Sequence, residues 1–262
     1  MRSSGRCTDL FAELWEPFLT PSSAGSAKPY AQVTERSEGW WLRLGYQDPM
    51  LYEDIWPLAD SVFGAMFRHA VAQARGVICL HAGVVVKGTA CLLLVGPSGA
   101  GKTTLTLDLL RSQDGWEYFS DDLAPIELRS GGVRPFPKPL SVKDPNRWRA
   151  FHGLWQPPSW LPSPRGRFVV APGGLPLSKE KLATPRLMLF LDRRAGSPAS
   201  RSLSAANAAA RCGQFIDGID RAALGTLGRM CRDVDALELR YGTSKQALAV
   251  VKEMVETGSL GG

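Results

Sequence analysis

The stretch LLLVGPSGAGKTTL, Leu92 to Leu105, constrains this chain more than any other. Its segment Gly96-Pro97-Ser98-Gly99-Ala100-Gly101-Lys102-Thr103 satisfies G-x-x-x-x-G-K-[ST]. In such a turn the glycines let successive backbone N–H groups point inward around phosphate oxygens. The apolar run ahead of it reads as a buried strand and TLTLDLL behind it as a helix, whose positive N-terminal end adds to the same anion cradle. A chain built around a strand, a phosphate turn and a helix is expected to be α/β. The candidate nucleotide contacts are Gly96, Ser98, Gly99, Ala100, Gly101, Lys102, Thr103 and Thr104. Lys102 would reach the β and γ phosphates of ATP as a point charge, and the Thr103 hydroxyl would take one position on an octahedral Mg²⁺.

Whether a bound triphosphate is transferred, hydrolysed or only sensed depends on nearby carboxylates. Asp121-Asp122 sits in the strand-like run WEYFSDDLAPIEL, where strand ends are brought towards the phosphate turn. Asp121 is the candidate beside the metal, and Asp122 the candidate that orients an attacking hydroxyl or takes its proton. The plain alternative is a solvated, aspartate-rich turn. Asp192 competes for the metal, since LMLFLD is also an apolar run ending in aspartate. Arg193-Arg194 follows it where a hydrolytic ATPase would place a glutamate, and no LSGGQ-like segment is present. His81, in LHAG ahead of the phosphate turn, reads either as a satisfied core histidine or as a catalytic one. His69 and His152 carry no supporting pattern.

Along the rest of the chain, residues 1 to 38 mix small, polar and aromatic residues around LTPSSAGSAKP and are expected to be weakly structured or peripheral. GWWLRLGY suggests a strand and DIWPLADSVFGAMFRHAVAQARG a helix. VICLHAGVVV and TACLLLV read as strands joined by a tight turn at Lys87-Gly88-Thr89. PRLMLFLD and ALELRYG are further strands, Leu203 to Arg232 is mostly helical, and QALAVVKEMV is a closing helix. Between Arg129 and Arg167 prolines and tryptophans crowd among basic residues with a single acid, Asp144. That density excludes regular helix or central strand and predicts a long ordered loop or a lid. Its lysines Lys138 and Lys143 are the candidate contacts for an acceptor, the alternative being a solvated basic loop. The expected division is an N-terminal lobe over 1–76 packed on a core over 77–262 that carries the basic loop 129–167.

With 262 residues and 44% hydrophobic composition the chain can bury a full core. Its net charge of +6 favours anionic partners without choosing among them. Five scattered cysteines without a CxxC pair suggest neither a zinc site nor a disulfide framework, and reduced thiols in a cytoplasmic protein are the simplest reading. No apolar window reaches membrane-spanning length, so no membrane partner is expected. No nucleic acid is expected either, because the basic residues gather in a proline-rich segment without a recognition helix or aromatic sheet module. An NKxD-like base-reading motif is absent, which disfavours a GTPase.

The order LHAG, GPSGAGKTTL, FSDDLAPI and RPFPKPLSVK resembles the HPr kinase/phosphorylase superfamily, particularly the short HPr-kinase-like proteins found beside bacterial peptide-biosynthesis genes such as those of lasso peptides. The likeness is strong over roughly residues 77 to 145 and weak over the remainder. It implies a mixed β-sheet P-loop kinase domain of HPr-kinase/PEP-carboxykinase type with a small N-terminal strand-helix lobe. It further implies ATP and Mg²⁺, a serine or other hydroxyl of a peptide or protein as acceptor, and His81, Lys102, Thr103 and Asp122 as functional residues, with Asp122 the proton acceptor. Members of the family often form rings, so a homo-oligomer is an expectation as well. The larger N-terminal domain, the metal-binding signature loop and the arginine-bearing loop of full HPr kinases are not matched here. A small-molecule kinase and a non-catalytic ATP-binding regulator remain the alternatives.

Overall fold

The structure, a computed structural model, describes residues 5, 7–16, 30–151, 155–194, 196–216 and 220–256. The chain divides into two compact units, Met1–Ala74 with Lys138–Leu175, and Arg75–Pro137 with Pro176–Gly262. The first therefore takes up most of the proline- and tryptophan-rich segment as well as the N-terminal residues. His152 lies outside the described residues.

The first unit opens with helix α1 (Cys7–Trp15), where the expectation was weak structure. Cys7, Leu10, Phe11 and Leu14 recur at helical spacing and are all buried, so the helix is held by its apolar face. A three-stranded antiparallel sheet follows, β1 (Ala31–Arg36), β2 (Gly39–Leu44) and β3 (Met50–Tyr52). Helix α2 (Ile55–Gln73) begins at Asp54, whose carboxylate accepts from the Trp56 amide and satisfies one of the free N–H groups of the first turn. Strands β9 (Leu140–Val142) and β10 (Phe168–Val170) pair antiparallel, and β10 packs on α2.

Beyond β9 and a 3₁₀ helix over Pro145–Phe151, the basic segment is held by long-range anchors. The Trp155 indole N–H donates to Glu13 Oε2 at 2.8 Å, and that of Trp56 to the Pro162 carbonyl at 2.9 Å. Phe151 and Trp56 both meet the Phe168 ring edge-on. Phe151 and Trp155 of this segment are thus buried in the interior of the unit together with Phe11, Trp56, Phe63 and Phe168.

The second unit is mixed α/β. Its six-stranded sheet runs β12 (Ala199–Ser202), β13 (Asp235–Tyr241), β11 (Thr184–Arg193), β6 (Ala90–Val95), β5 (Ala82–Lys87), β7 (Glu117–Ser120). β6 and β13 flank β11 in parallel, while β5 is antiparallel to both β6 and β7. Cys91 to Val95 are buried without interruption, as expected for a central strand covered on both faces. Helices α4 (Ala205–Gly213) and α5 (Arg221–Met230) share a buried cluster with Val84, Leu93, Met188 and Phe190. Helices α3 (Lys102–Arg111) and α6 (Ser244–Glu256) pack on each other, α3 against β5 and α6 against β13.

Two runs that read as single strands are each broken in two. VICLHAGVVV divides at His81 into β4 (Val77–Leu80) and β5. EYFSDDLAPIE divides at Asp121 to Leu123 into β7 and β8 (Ala124–Glu127). β4 pairs with β8 in a separate two-stranded sheet, while β5 pairs with β7 in the large one. The breaks lie opposite each other, and both fall on candidate site residues. No helix among the described residues is long and apolar enough to cross a membrane.

Candidate functional site

Strand direction decides where the candidate residues meet. β7 and β6 both run antiparallel to β5, so their C-terminal ends lie at the same edge of the sheet as the start of β5. The glycine-rich turn leaves β6 at that edge, Asp121 and Asp122 leave β7 there, and His81 enters β5 there. β11 and β13 run parallel to β6, so Asp192 and Tyr241 also end on that side.

Lys102 opens α3 and is 4% exposed, an unusual burial for a lysine that requires partners. Its Nζ donates to the carbonyls of Gly96 at 2.7 Å and Pro97 at 3.2 Å, lies 3.2 Å from His81 Nε2, and is 4.0 Å from Asp122 Oδ1. His81 Nδ1 lies 2.7 Å from the Asp122 carbonyl oxygen. A carbonyl can only accept, so Nδ1 carries the proton and Nε2 offers its lone pair to the Lys102 ammonium. The imidazole is therefore neutral in this arrangement, since a proton on Nε2 would set two positive donors against each other. His81 joins the loop lysine to the backbone of the aspartate turn.

The Thr103 hydroxyl donates to Asp121 Oδ2 at 2.8 Å, and Asp121 is fully buried. Asp122 is the more open of the two, its side chain 32% exposed. Its backbone has φ of 60°, a left-handed conformation that aspartate and asparagine tolerate better than other non-glycine residues. The Ser120 hydroxyl donates to the Leu123 carbonyl and closes this four-residue turn. Burial and the charges of Asp121 and Asp122 push the Tyr118 phenol well above its ordinary value, so behind the pair it stays neutral.

The turn itself is built as its sequence requires. Gly99 has φ of 90°, and a side chain added there would meet nothing, so the outer side of the turn is open. Gly101 has φ of 98° and stands where a β-carbon would run into the Tyr241 hydroxyl. Tyr241, at the end of β13, donates that hydroxyl to the Ala100 carbonyl. This clamp is not legible in the sequence, where Tyr241 is only the aromatic end of ALELRYG. Burial pushes the Tyr241 phenol up to about 12, so it remains a donor throughout the neutral range. Its folded value exceeds the unfolded one, so its contribution to stability is complete below about pH 10 and falls away as pH rises towards 12. Tyr241→Phe is expected to destabilise this unit by about 1–2 kcal/mol, because a nearly dry carbonyl loses its donor. Thermal melts should show a drop of a few degrees.

Asp192 is engaged otherwise. Its Oδ1 accepts from Arg194 Nε at 2.8 Å and its Oδ2 lies 3.8 Å from Arg240 Nε. Lys138 and Lys143 fall in the first compact unit. Lys138 is 3% exposed, with Nζ 4.7 Å from the Phe63 ring centroid and 5.8 Å from that of Phe67, so its ammonium is taken up by cation–π packing. Lys143 is exposed.

The assembled donor set is a buried ammonium, a helix N-terminus with an open glycine turn, a hydroxyl hydrogen-bonded to a buried carboxylate, and a second carboxylate at the rim. Among the described residues no group of three or more His, Cys, Asp or Glu side chains could hold a metal by itself. A magnesium ion that keeps its waters and takes phosphate oxygens needs only one or two protein oxygens, which Thr103 and Asp121 could provide.

No protein-family model matches the chain, and no curated protein matches it in sequence. Among solved structures, the Hpr(Ser) kinase/phosphatase from Coxiella burnetii is similar over 70% of this chain and 96% of that one. The identity is 13% and the TM-score 0.34. At those values the likeness carries no functional conclusion.

Proposed function

We propose that the protein is an ATP-dependent phosphotransferase that moves the γ-phosphoryl group to a hydroxyl, namely a serine of a peptide or protein. The observation that carries this reading is the meeting, at one sheet edge, of the Lys102 cradle with the Thr103–Asp121 pair and the Asp122 carboxylate. A sensor of ATP needs the cradle alone. A rim carboxylate 4.0 Å from the cradle's ammonium is the addition that a transfer reaction uses. The sequence resemblance to HPr-kinase-like proteins points the same way and suggests a ribosomally made precursor peptide as acceptor.

The residues divide the work. Backbone amides of the turn and the start of α3 would bind the phosphates, with Lys102 adding its charge. Thr103 and Asp121 would hold a magnesium ion, whose charge would offset that gathering on the phosphate oxygens. Asp122 aims the serine hydroxyl and takes its proton as the oxygen–phosphorus bond forms and the bond to the β–γ bridging oxygen breaks, releasing ADP. His81, through the Lys102 ammonium and the Asp122 carbonyl, is a positioning residue. Lys143 is retained as a proposed acceptor contact, and the cytoplasm as the proposed compartment.

The test is direct. The full chain with ATP, Mg²⁺ and serine-bearing peptides should yield a peptide heavier by one phosphoryl group, seen by mass spectrometry and abolished when serine is replaced by alanine. ATP binding without any phosphorylated peptide or small alcohol would leave a regulator, and transfer only to a small alcohol would leave a metabolite kinase.

A further inference from the structure

The sheet of the first unit has two unlike faces. Ala31, Val33 and Leu42 point inward and are at most 1% exposed. The outward positions alternate with them: Gln32, Thr34 and Arg36 on β1, and Trp41 and Arg43 on β2. The register sets Gln32 opposite Arg43 and Thr34 opposite Trp41. Together with Pro49 these residues line a recess of about 200 Å³.

Its chemistry is cationic and aromatic. Neither Arg36 nor Arg43 forms an ion pair among the described residues. The Arg36 guanidinium lies 5.6 Å from the Trp41 ring centroid. Glu38, two residues after Arg36, accepts from the Trp41 indole N–H at 2.9 Å and from Ser37, bonds that, with the nearby Arg36 charge, hold its carboxyl below the usual range and fix the ring. Leu51, paired with Trp41 across β2 and β3, is 43% exposed and extends the apolar strip beside the indole.

Size and spacing select the occupant. Clefts that enclose whole small ligands run to roughly 300–1,000 Å³. This recess is smaller, room for a side chain or two of something that continues beyond it. Arg43 faces Gln32, and Arg36 is four residues further along β1, so the two arginine positions stand roughly 13 Å apart at about 3.3 Å per residue. Positions i and i+4 of an extended chain have the same separation and the same facing, with position i+2 falling between them beside Leu51 and the edge of the Trp41 indole.

We infer that this face binds an extended acidic peptide segment, with carboxylates at i and i+4 on Arg43 and on the Arg36 guanidinium that lies over Trp41, and an aromatic or apolar side chain at i+2 on Leu51 and the adjoining edge of the indole. Such a segment, set apart from the phosphorylated serine, would dock the acceptor; that part rests on the phosphotransferase reading, whereas the peptide site does not.

Fluorescence anisotropy of a labelled peptide containing Glu-Thr-Tyr-Thr-Glu, titrated with the full chain, tests the site without any chemistry. The Gln-Thr-Tyr-Thr-Gln counterpart is expected to bind about tenfold or more weakly, as is the acidic peptide to Arg36→Gln or to Arg43→Gln. Raising salt to about 0.5 M should weaken the acidic peptide alone, since these charges are exposed. Equal binding of the two peptides, or unchanged binding to the double variant with a wild-type melting temperature, overturns the proposal. Tighter binding of single-stranded DNA, lost in the same variants, also overturns it in favour of nucleic acid. With the same segment joined to a serine acceptor, the variants should raise KM for peptide and leave kcat and ATP affinity alone. Peptide binding without phosphorylation would sink the phosphotransferase reading and keep the site, while phosphorylation with unaltered KM would sink the docking role and keep the reading.

Discussion

Asp122→Asn should abolish phosphoryl transfer, lowering kcat by roughly 10²–10⁴-fold, the usual contribution of a positioned acid–base group, while ATP affinity changes little. The substitution is clean for a structural reason. Residue 122 sits at φ of 60°, which asparagine adopts about as readily as aspartate, so the turn carrying Asp121 is kept. The backbone carbonyl that accepts from His81 is also retained, and with it the contact to Lys102. What disappears is a carboxylate able to align a hydroxyl and accept its proton. Asp122→Ala lacks this clarity, because alanine is strained at positive φ and the loss would mix geometry with chemistry. Single-turnover assays beside nucleotide-binding measurements separate the two, and an asparagine variant turning over at the wild-type rate would remove Asp122 from the mechanism.

Much of the site edge is legible in the chain because its signals are local. The glycine-rich turn is contiguous, the apolar run before it and the helix after it are contiguous, and the aspartate pair sits in one strand-like run. The tight turn at Lys87-Gly88-Thr89 was readable for the same reason, and the structure pairs Lys87 with Ala90 across it. Less visible is that VICLHAGVVV and the strand-like run holding the aspartates change sheets midway. Hydrophobic alternation reports which face is buried, not which neighbour is paired, so a strand passing from one sheet to another leaves no trace in period. Helix α1 did leave a trace, in the spacing of Cys7, Leu10, Phe11 and Leu14, but it is short and adjoins a proline-serine run that suggests looseness. The proline-rich segment depends on bonds over long separations, such as Trp155 to Glu13, that no local rule anticipates. The Tyr241 clamp on Ala100, 141 residues away, belongs with these.

That clamp makes Gly101→Ala the most damaging small substitution in the turn. At φ of 98° and ψ of 13°, the residue before α3 lies in the left-handed region, where a β-carbon costs about 1–2 kcal/mol. The added methyl would also occupy the place of the Tyr241 hydroxyl, which has to leave the Ala100 carbonyl. Breaking that bond in a buried setting adds about 1–3 kcal/mol. The sum, about 2–5 kcal/mol, should lower the melting temperature by several degrees or more and weaken ATP binding at least about tenfold, since the amides that would face the phosphates lose their fixed direction. The double variant Gly101→Ala/Tyr241→Phe distinguishes the causes. Removing the hydroxyl relieves the overlap and leaves the backbone cost, so the two changes should combine to less than the sum of their separate effects, the coupling of residues in direct contact. Strict additivity would mean that Tyr241 does not bear on Gly101, and wild-type stability and ATP affinity in Gly101→Ala alone would show that the turn does not depend on the left-handed glycine.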